Sequence, residues 1–280
     1  MDVILVTGSN AGLGYEIIRA LCRSNKPYNI LLSGRSLPKV QQAITSVKEE
    51  YPSSTSTISP LQIDIEDDGS IHRAFEEVQA KFGKVDALVN NAGIYQVGFS
   101  QSRTFSSSST GGQLDQQLAS GTMTMRQMWN QSWSLNTAST QVMTSTFMPL
   151  LLQSSNPRLL FIASGTSTLT GTDNLVWPFN KSPSKGWPKP ELGIGAYRAS
   201  KTGMNMMMRE WYRILKEDGV KVWCISPGFL ATGLGGNQEA NQKAGAGDPA
   251  VGGEFVREVV EGQRDGDVGK VITRQGVQAW

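Results

Sequence analysis

Tyr197 and Lys201, in the run Tyr197-Arg198-Ala199-Ser200-Lys201, stand four residues apart at the start of a helical pattern. On a helix that spacing puts both side chains on one face. A free tyrosine has a pKa near roughly 10, too high for efficient proton exchange at neutral pH, and a neighbouring lysine cation lowers it by favouring the phenolate. The pair therefore suits general acid or base work. Taken alone, a Tyr-x-x-x-Lys pair is common and usually just surface, so its meaning depends on the residues around it.

A second chemical signal opens the chain. The apolar run Val3 to Val6 leads into Thr7-Gly8-Ser9-Asn10-Ala11-Gly12-Leu13-Gly14 and then into a helical pattern. Glycines there permit a tight turn and close approach of backbone to a pyrophosphate, and the helix start offers free N–H groups. The glycine spacing differs from the common dinucleotide fingerprint, so its position between strand and helix carries the argument. Gly8, Ser9, Asn10, Gly12, Leu13 and Gly14 are the expected contacts. The next strand ends in Ser33-Gly34-Arg35-Ser36, without the acid that usually holds a ribose 2′-hydroxyl. Arg35 suits a 2′-phosphate instead, which favours NADP(H); the alternative is a solvated loop arginine. Asp64, with Ile65 beside it after the third strand, is placed to meet the adenine edge.

These residues need a frame, and the chain supplies one. Apolar runs at Val3–Val6, Tyr28–Leu32, Ile58–Ile63, Val85–Val89, Leu159–Ala163, Val220–Ile225 and Val271–Ile272 alternate with helical patterns. The helices are expected at Leu13–Ser24, through Val40 to Val47, and at Ile71–Phe82, Trp129–Leu152, Tyr197–Leu215 and Pro249–Val260. Strands without polar alternation are buried on both faces, as in a parallel sheet covered by helices, and strict alternation gives a doubly wound α/β fold. A single domain over 1–280 is expected, with insertions at about 96–122 (serine-rich) and 165–196. The second carries Trp177, Phe179 and Trp187, which fit an apolar or aromatic substrate or packing against the core or an interface.

Composition narrows the classes. The chain has 280 residues, 39% hydrophobic and 18% charged, enough apolar content for a substantial core. A net charge of +2, dispersed along the chain, argues against nucleic acid as a partner. No apolar run approaches the roughly 20 residues that span a bilayer, and the start lacks a secretory pattern, so no membrane and a cytoplasmic location are expected. His72 is the only histidine, which excludes mechanisms needing two. Cys22 and Cys224 sit in apolar segments and read as buried thiols, and no metal-ligand spacing occurs.

Asn90-Asn91-Ala92-Gly93 after the fourth strand, Asn136 in the long helix, Ser164 after the fifth strand, and Pro227-Gly228 with Thr232 after the sixth complete a pattern. With the glycine turn and Tyr197/Lys201, in this order, the chain resembles the short-chain dehydrogenase/reductase family from Val3 to about Ile272. The resemblance implies a Rossmann-type, mainly parallel sheet of seven strands and a catalytic set of Asn136, Ser164, Tyr197 and Lys201. In that set Tyr197 protonates the carbonyl oxygen and Lys201 holds the nicotinamide ribose. Ser164 hydrogen-bonds the substrate oxygen, and Asn136 positions a water. Asn90, Asn91, Ala92 and Gly93 support the cofactor, and Ile225, Pro227, Gly228 and Thr232 line its nicotinamide end. Two departures stand out. Ala11 occupies a position where some NADP(H)-using relatives carry a basic residue, and the 96–122 insertion is longer than usual. The serine-rich insertion and the ending resemble fungal members of secondary metabolism.

The expected activity is NADPH-dependent reduction of a ketone or quinone-like carbonyl on a small apolar or aromatic molecule. The Gly-rich segment Gly233–Gly247 is expected to be flexible and to close over that molecule. Oxidation of a secondary alcohol with NAD(P)+ is the alternative, and a non-catalytic dinucleotide-binding regulator a third reading. Family habit implies a homodimer or homotetramer.

Overall fold

In the computed structural model, which describes residues 1–93, 123–187, 189, 194–235 and 238–280, the first apolar run forms β1 (Asp2–Val6), buried from Val3 onward. Then come α1 (Gly12–Cys22), β2 (Tyr28–Gly34), α2 (Leu37–Glu50), β3 (Thr57–Gln62), α3 (Asp68–Phe82) and β4 (Ala87–Asn90). The expected 96–122 insertion lies outside the described residues. The chain continues with α4 (Met125–Trp133), a π-helical turn (Ser134–Ala138), α5 (Ser139–Leu151), β5 (Arg158–Ile162), α6 (Gly195–Ile214) and β6 (Lys221–Ile225). It ends with α7 (Gln238–Lys243), α8 (Pro249–Val260), β7 (Val271–Thr273) and β8 (Gly276–Val277).

The strands form one sheet in the order β3-β2-β1-β4-β5-β6-β7-β8. All pairs are parallel except the last, β7 with β8. The seven expected strands are all present. The eighth is an addition the sequence did not announce, two residues long and turned back by Gly276 at φ 147°. The opposite edge, β3, carries Pro60 in its middle. Pairing runs in both directions from β1, so the order reverses between β1 and β4. In open α/β sheets such a reversal leaves a crevice beyond the carboxyl ends of the strands.

Alternation along β1 divides the core. Val3 and Leu5 join one buried cluster with α3, α5 and α6, while Ile4 and Val6 join another with α1, α2 and α8. Helices therefore cover both faces. Gly253 lets α8 lie directly on α1, because a Cβ there would run into the Glu16 carbonyl. The start of α8 is built as its Asp248-Pro249 pair suggests, with the Asp248 carboxylate accepting from Ala250 N–H at 2.9 Å.

Two expectations change. The long helix at 129–152 is broken by the π-helical turn, and its beginning moves to Met125, where Thr124 and Gln127 form a capping box. The Gly233–Gly247 segment is not simply loose. Its base is closed by a bridge between Leu230 and Gly247, and Asn241 of α7 donates to the carbonyls of Thr232 and Leu234 at 3.0 and 2.9 Å.

Candidate active site

The crevice at the reversal begins with the glycine turn. Gly8 and Gly12 have φ of +61° and +56°, which side chains other than glycine rarely adopt. At Gly14 a Cβ would lie 2.5 Å from the Gly8 carbonyl and 2.6 Å from the Asn91 amide. Ser9 Oγ donates to Val6 O and accepts from Ser33 N–H, both at 2.8 Å, so the turn is fastened to β1 and β2. Thr7 fastens it to β4: its Oγ1 accepts from the N–H groups of Asn91 and Ala92, each at 2.9 Å. Asn91 donates back to Thr7 O at 2.8 Å. The sequence shows Thr7 at the head of the turn but not this role, because its partners are more than eighty residues away.

Beyond the turn, α1 starts at Ala11 with no side-chain cap and no acid in its first turn. Its first N–H groups are free for an anion. Asn10 packs across Gly34, where a Cβ would run into its side-chain oxygen. Arg35 is exposed at the end of β2 and makes no ion pair among the described residues. Asp64 is partly exposed, its Oδ1 accepting from Glu66 N–H at 3.1 Å, and Ile65 is buried beside it. On the other rim Thr232 is buried near Gly12, whose Cβ would stand 3.6 Å from that of Thr232. Pro227 packs towards Gly252 of α8, and Gly228, at φ +102°, is exposed. A glycine cradle and free helix N–H groups suit the pyrophosphate of a nicotinamide dinucleotide, and the residues fit one.

The chemical pair lies deeper. Tyr197 and Lys201 share the inner face of α6, and both are buried. Lys201 Nζ lies 6.0 Å from the centre of the Tyr197 ring and donates to Ile162 O at 2.8 Å. Burial pushes the Lys201 ammonium down from its ordinary 10.5 to about 8, a smaller influence of Cys224 opposing it. Cys224 and Cys22 are buried free thiols, and burial raises both.

Asn136 sits fully buried in the π-helical turn, a distortion that often marks functional positions. A line of hydrogen bonds holds the turn to β4. Asn90 Nδ2 donates to Thr144 Oγ1 at 3.0 Å, Thr144 Oγ1 to Thr140 O at 2.8 Å, and Thr140 Oγ1 to Asn136 O at 3.0 Å. The Asn136 amide donates to Ser200 Oγ at 3.0 Å, and Ser200 Oγ to Tyr197 O at 2.8 Å. Ser200 was missed in the sequence, though it stands inside the Tyr197–Lys201 run. Gly93 closes the group: a Cβ there would be 3.1 Å from Asn136 Oδ1 and 3.3 Å from Lys201 Nζ. The structure thus brings Asn136, Lys201, Tyr197 and Gly93 together.

Ser164 follows β5 directly. Its Oγ accepts from Thr166 N–H at 3.1 Å and lies 2.9 Å from Thr166 Oγ1, fixing a short turn whose next residue, Gly165, is open. The segment beyond is pinned from α6 by Arg198, which donates to Thr166 O and Asn180 Oδ1 at 3.1 Å each and lies over the Phe179 ring. Trp177 stacks on Phe179 and remains half exposed, and Trp187 is exposed. Neither tryptophan is a core residue.

The short chain dehydrogenase family model matches residues 2–177 and 184–243. Among curated proteins, the short-chain dehydrogenase/reductase tropE of Talaromyces stipitatus is 43% identical, covering 98% of this chain and 95% of its own. The short-chain dehydrogenase/reductase eupG of Phoma sp is also 43% identical, over 99% and 97%. Among solved structures, the NADPH-bound carbonyl reductase from chicken fatty liver superposes with a TM-score of 0.72 at 20% identity, over 100% of both chains.

Proposed function

This chain belongs to the short-chain dehydrogenase family of oxidoreductases, and from that premise we propose that it is an NADPH-dependent reductase of a ketone or quinone-like carbonyl on a small apolar molecule. The observation that carries the reading is the buried Lys201 ammonium beside the Tyr197 ring on one face of α6. A lysine placed there stabilises negative charge on the phenol oxygen. Tyr197 Oη then delivers its proton to the substrate oxygen as charge develops on it. Ser164 Oγ donates a second hydrogen bond to that oxygen. Asn136 and Ser200 hold the helix backbone at Tyr197, and Asn136 is the point through which protons return to Lys201. When bound, the dinucleotide supplies the hydride. Gly8, Ser9, Asn10, Gly12, Leu13 and Gly14 hold its pyrophosphate, and Arg35 pairs with the 2′-phosphate. Asp64 and Ile65 border the adenine, and Asn91, Ala92, Gly93, Pro227, Gly228 and Thr232 border the nicotinamide half. Similarity to a structure with bound NADPH supports the cofactor choice, and similarity to fungal short-chain dehydrogenase/reductases supports a substrate from fungal secondary metabolism.

Titration with NADPH and NADH by fluorescence, followed by reduction of phenanthrenequinone, tests this. NADPH preference and turnover that drops about a thousandfold in Tyr197→Phe, with unchanged NADPH affinity, are expected. A Tyr197→Phe enzyme that keeps most of its turnover overturns the mechanism, and a preference for NADH overturns the cofactor choice.

A further inference from the structure

After β7 the chain folds back over the loop that carries Ser164. Gln278 is fastened to the sheet by its own N–H, which donates to Val271 O at 2.8 Å. Its side chain reaches the carboxyl ends of β5 and β6. There its Oε1 accepts from Ser226 Oγ at 2.7 Å, and its Nε2 donates to Ser164 O at 3.3 Å, with Ser167 Oγ at 3.5 Å. Two residues on, the Trp280 carbonyl accepts from Thr170 N–H at 2.7 Å and from Thr168 Oγ1 at 3.0 Å.

The Ser164 carbonyl is also held by Ser167. Ser167 Oγ donates to Ser164 O at 2.6 Å. Ser167 itself accepts from Asn205 Nδ2 at its hydroxyl (3.0 Å) and from Thr202 Oγ1 at its carbonyl (2.9 Å). Thr202 and Asn205 belong to α6, with Asn205 one turn beyond Lys201. The Ser164 carbonyl is therefore gripped by the helix that bears Tyr197 and by the segment after β8. Gln278 lies beyond residue 243, where the family match stops.

We infer that Gln278 is a positioning residue for Ser164, a conclusion that rests on the reductase reading above. The orientation of the Ser164 carbonyl sets the backbone at Ser164 and hence where its Oγ points. In the observed bonding Ser226 donates and the Ser164 carbonyl accepts, which a side chain that accepts at one atom and donates at the other satisfies; an ionised carboxylate of the same shape only accepts. Gln278 thus registers the serine hydroxyl against the Tyr197–Lys201 face without touching substrate.

The test compares Gln278→Ala and Gln278→Glu with the parent chain, using phenanthrenequinone and NADPH. Both variants should lose about ten- to a hundredfold in kcat, the scale of a small misplacement of a catalytic group, with NADPH Kd unchanged. Gln278→Glu keeps the side-chain shape, so equal loss in it excludes a mere packing defect. In a Ser164→Ala background, Gln278→Ala should cost less than about twofold more, because its effect passes through the serine. Variants within twofold of the parent, or the same loss with and without Ser164, overturn the inference. A fully active Ser164→Ala enzyme instead removes Ser164 from the catalytic set and the inference with it, whereas a parent that binds no NADPH overturns the reductase reading on which the inference rests.

Discussion

At the scale of single residues, charge decides the behaviour. Arg35 stands exposed and without an ion-pair partner among the described residues, so its removal should weaken NADPH by about ten- to a hundredfold, the worth of charge-assisted hydrogen bonds, and leave NADH nearly unchanged. Paired fluorescence titrations of Arg35→Ala measure this, and equal weakening of both nucleotides would show that Arg35 does not read the 2′-phosphate. Lys201 makes a second prediction. Held at about 8 by burial, it is charged below that pH and neutral above it. Carbonyl reduction should therefore be flat on the acid side and fall as pH rises through about 8. A rate that keeps rising through that range would separate Lys201 from catalysis. The sign for stability runs the other way: the unfolded chain, with lysine near 10.5, binds the proton more tightly, so the folded state gains as pH rises from about 8. Lys201→Met should accordingly melt higher than the parent at neutral pH while losing turnover, a calorimetric comparison of function against stability.

At the scale of elements, the glycine turn has no spare room. Gly14→Ala sets a methyl against the Gly8 carbonyl and the Asn91 amide, both backed by β1 and β4. The variant should keep its far-ultraviolet circular dichroism and lose NADPH binding by at least tenfold; wild-type affinity would mean that the turn yields without cost. This element was legible because its signals are local: a buried apolar run, then glycines, then an amphipathic helix. Tyr197 and Lys201 were legible for the same reason. The π-helical turn around Asn136 was not, because apolar periodicity marks the face of a helix but not an inserted residue. Nor was the ordering of the described residues between 230 and 247. Its composition is that of a loose loop, and it is the bridge at Leu230–Gly247 and the Asn241 side chain that give it shape. Gln278 was invisible for a related reason: its partners lie just after β6 and just after β5, and only the reversal at β8 brings it to them.

At the scale of the whole molecule, the end of the sheet opposite the site has its own fastening. Arg158 of β5, almost wholly buried, pairs with Asp265 at 2.7 Å, and Lys221 of β6 reaches the same carboxylate at 2.6 Å. Burial raises the Asp265 carboxyl, but the bonds and charges of Arg158 and Lys221 outweigh it and hold it below its ordinary 3.8. Its contribution is therefore full above that value and is lost as pH falls further. Asp265→Asn should lower stability by on the order of 2 kcal/mol at neutral pH, leaving the buried guanidinium poorly paired, and the gap from the parent should close in acid. Denaturant unfolding at both pH values checks this, and a gap that persists in acid would remove the carboxylate from the account. Neither rim of the sheet is a long strand: β3 has six residues and carries Pro60, which has no N–H to offer, and β8 is two residues long. A neighbouring chain therefore finds little ladder to extend by strand addition. Among the described strands, a partly unfolded chain finds a poor seed for amyloid-like growth at either edge.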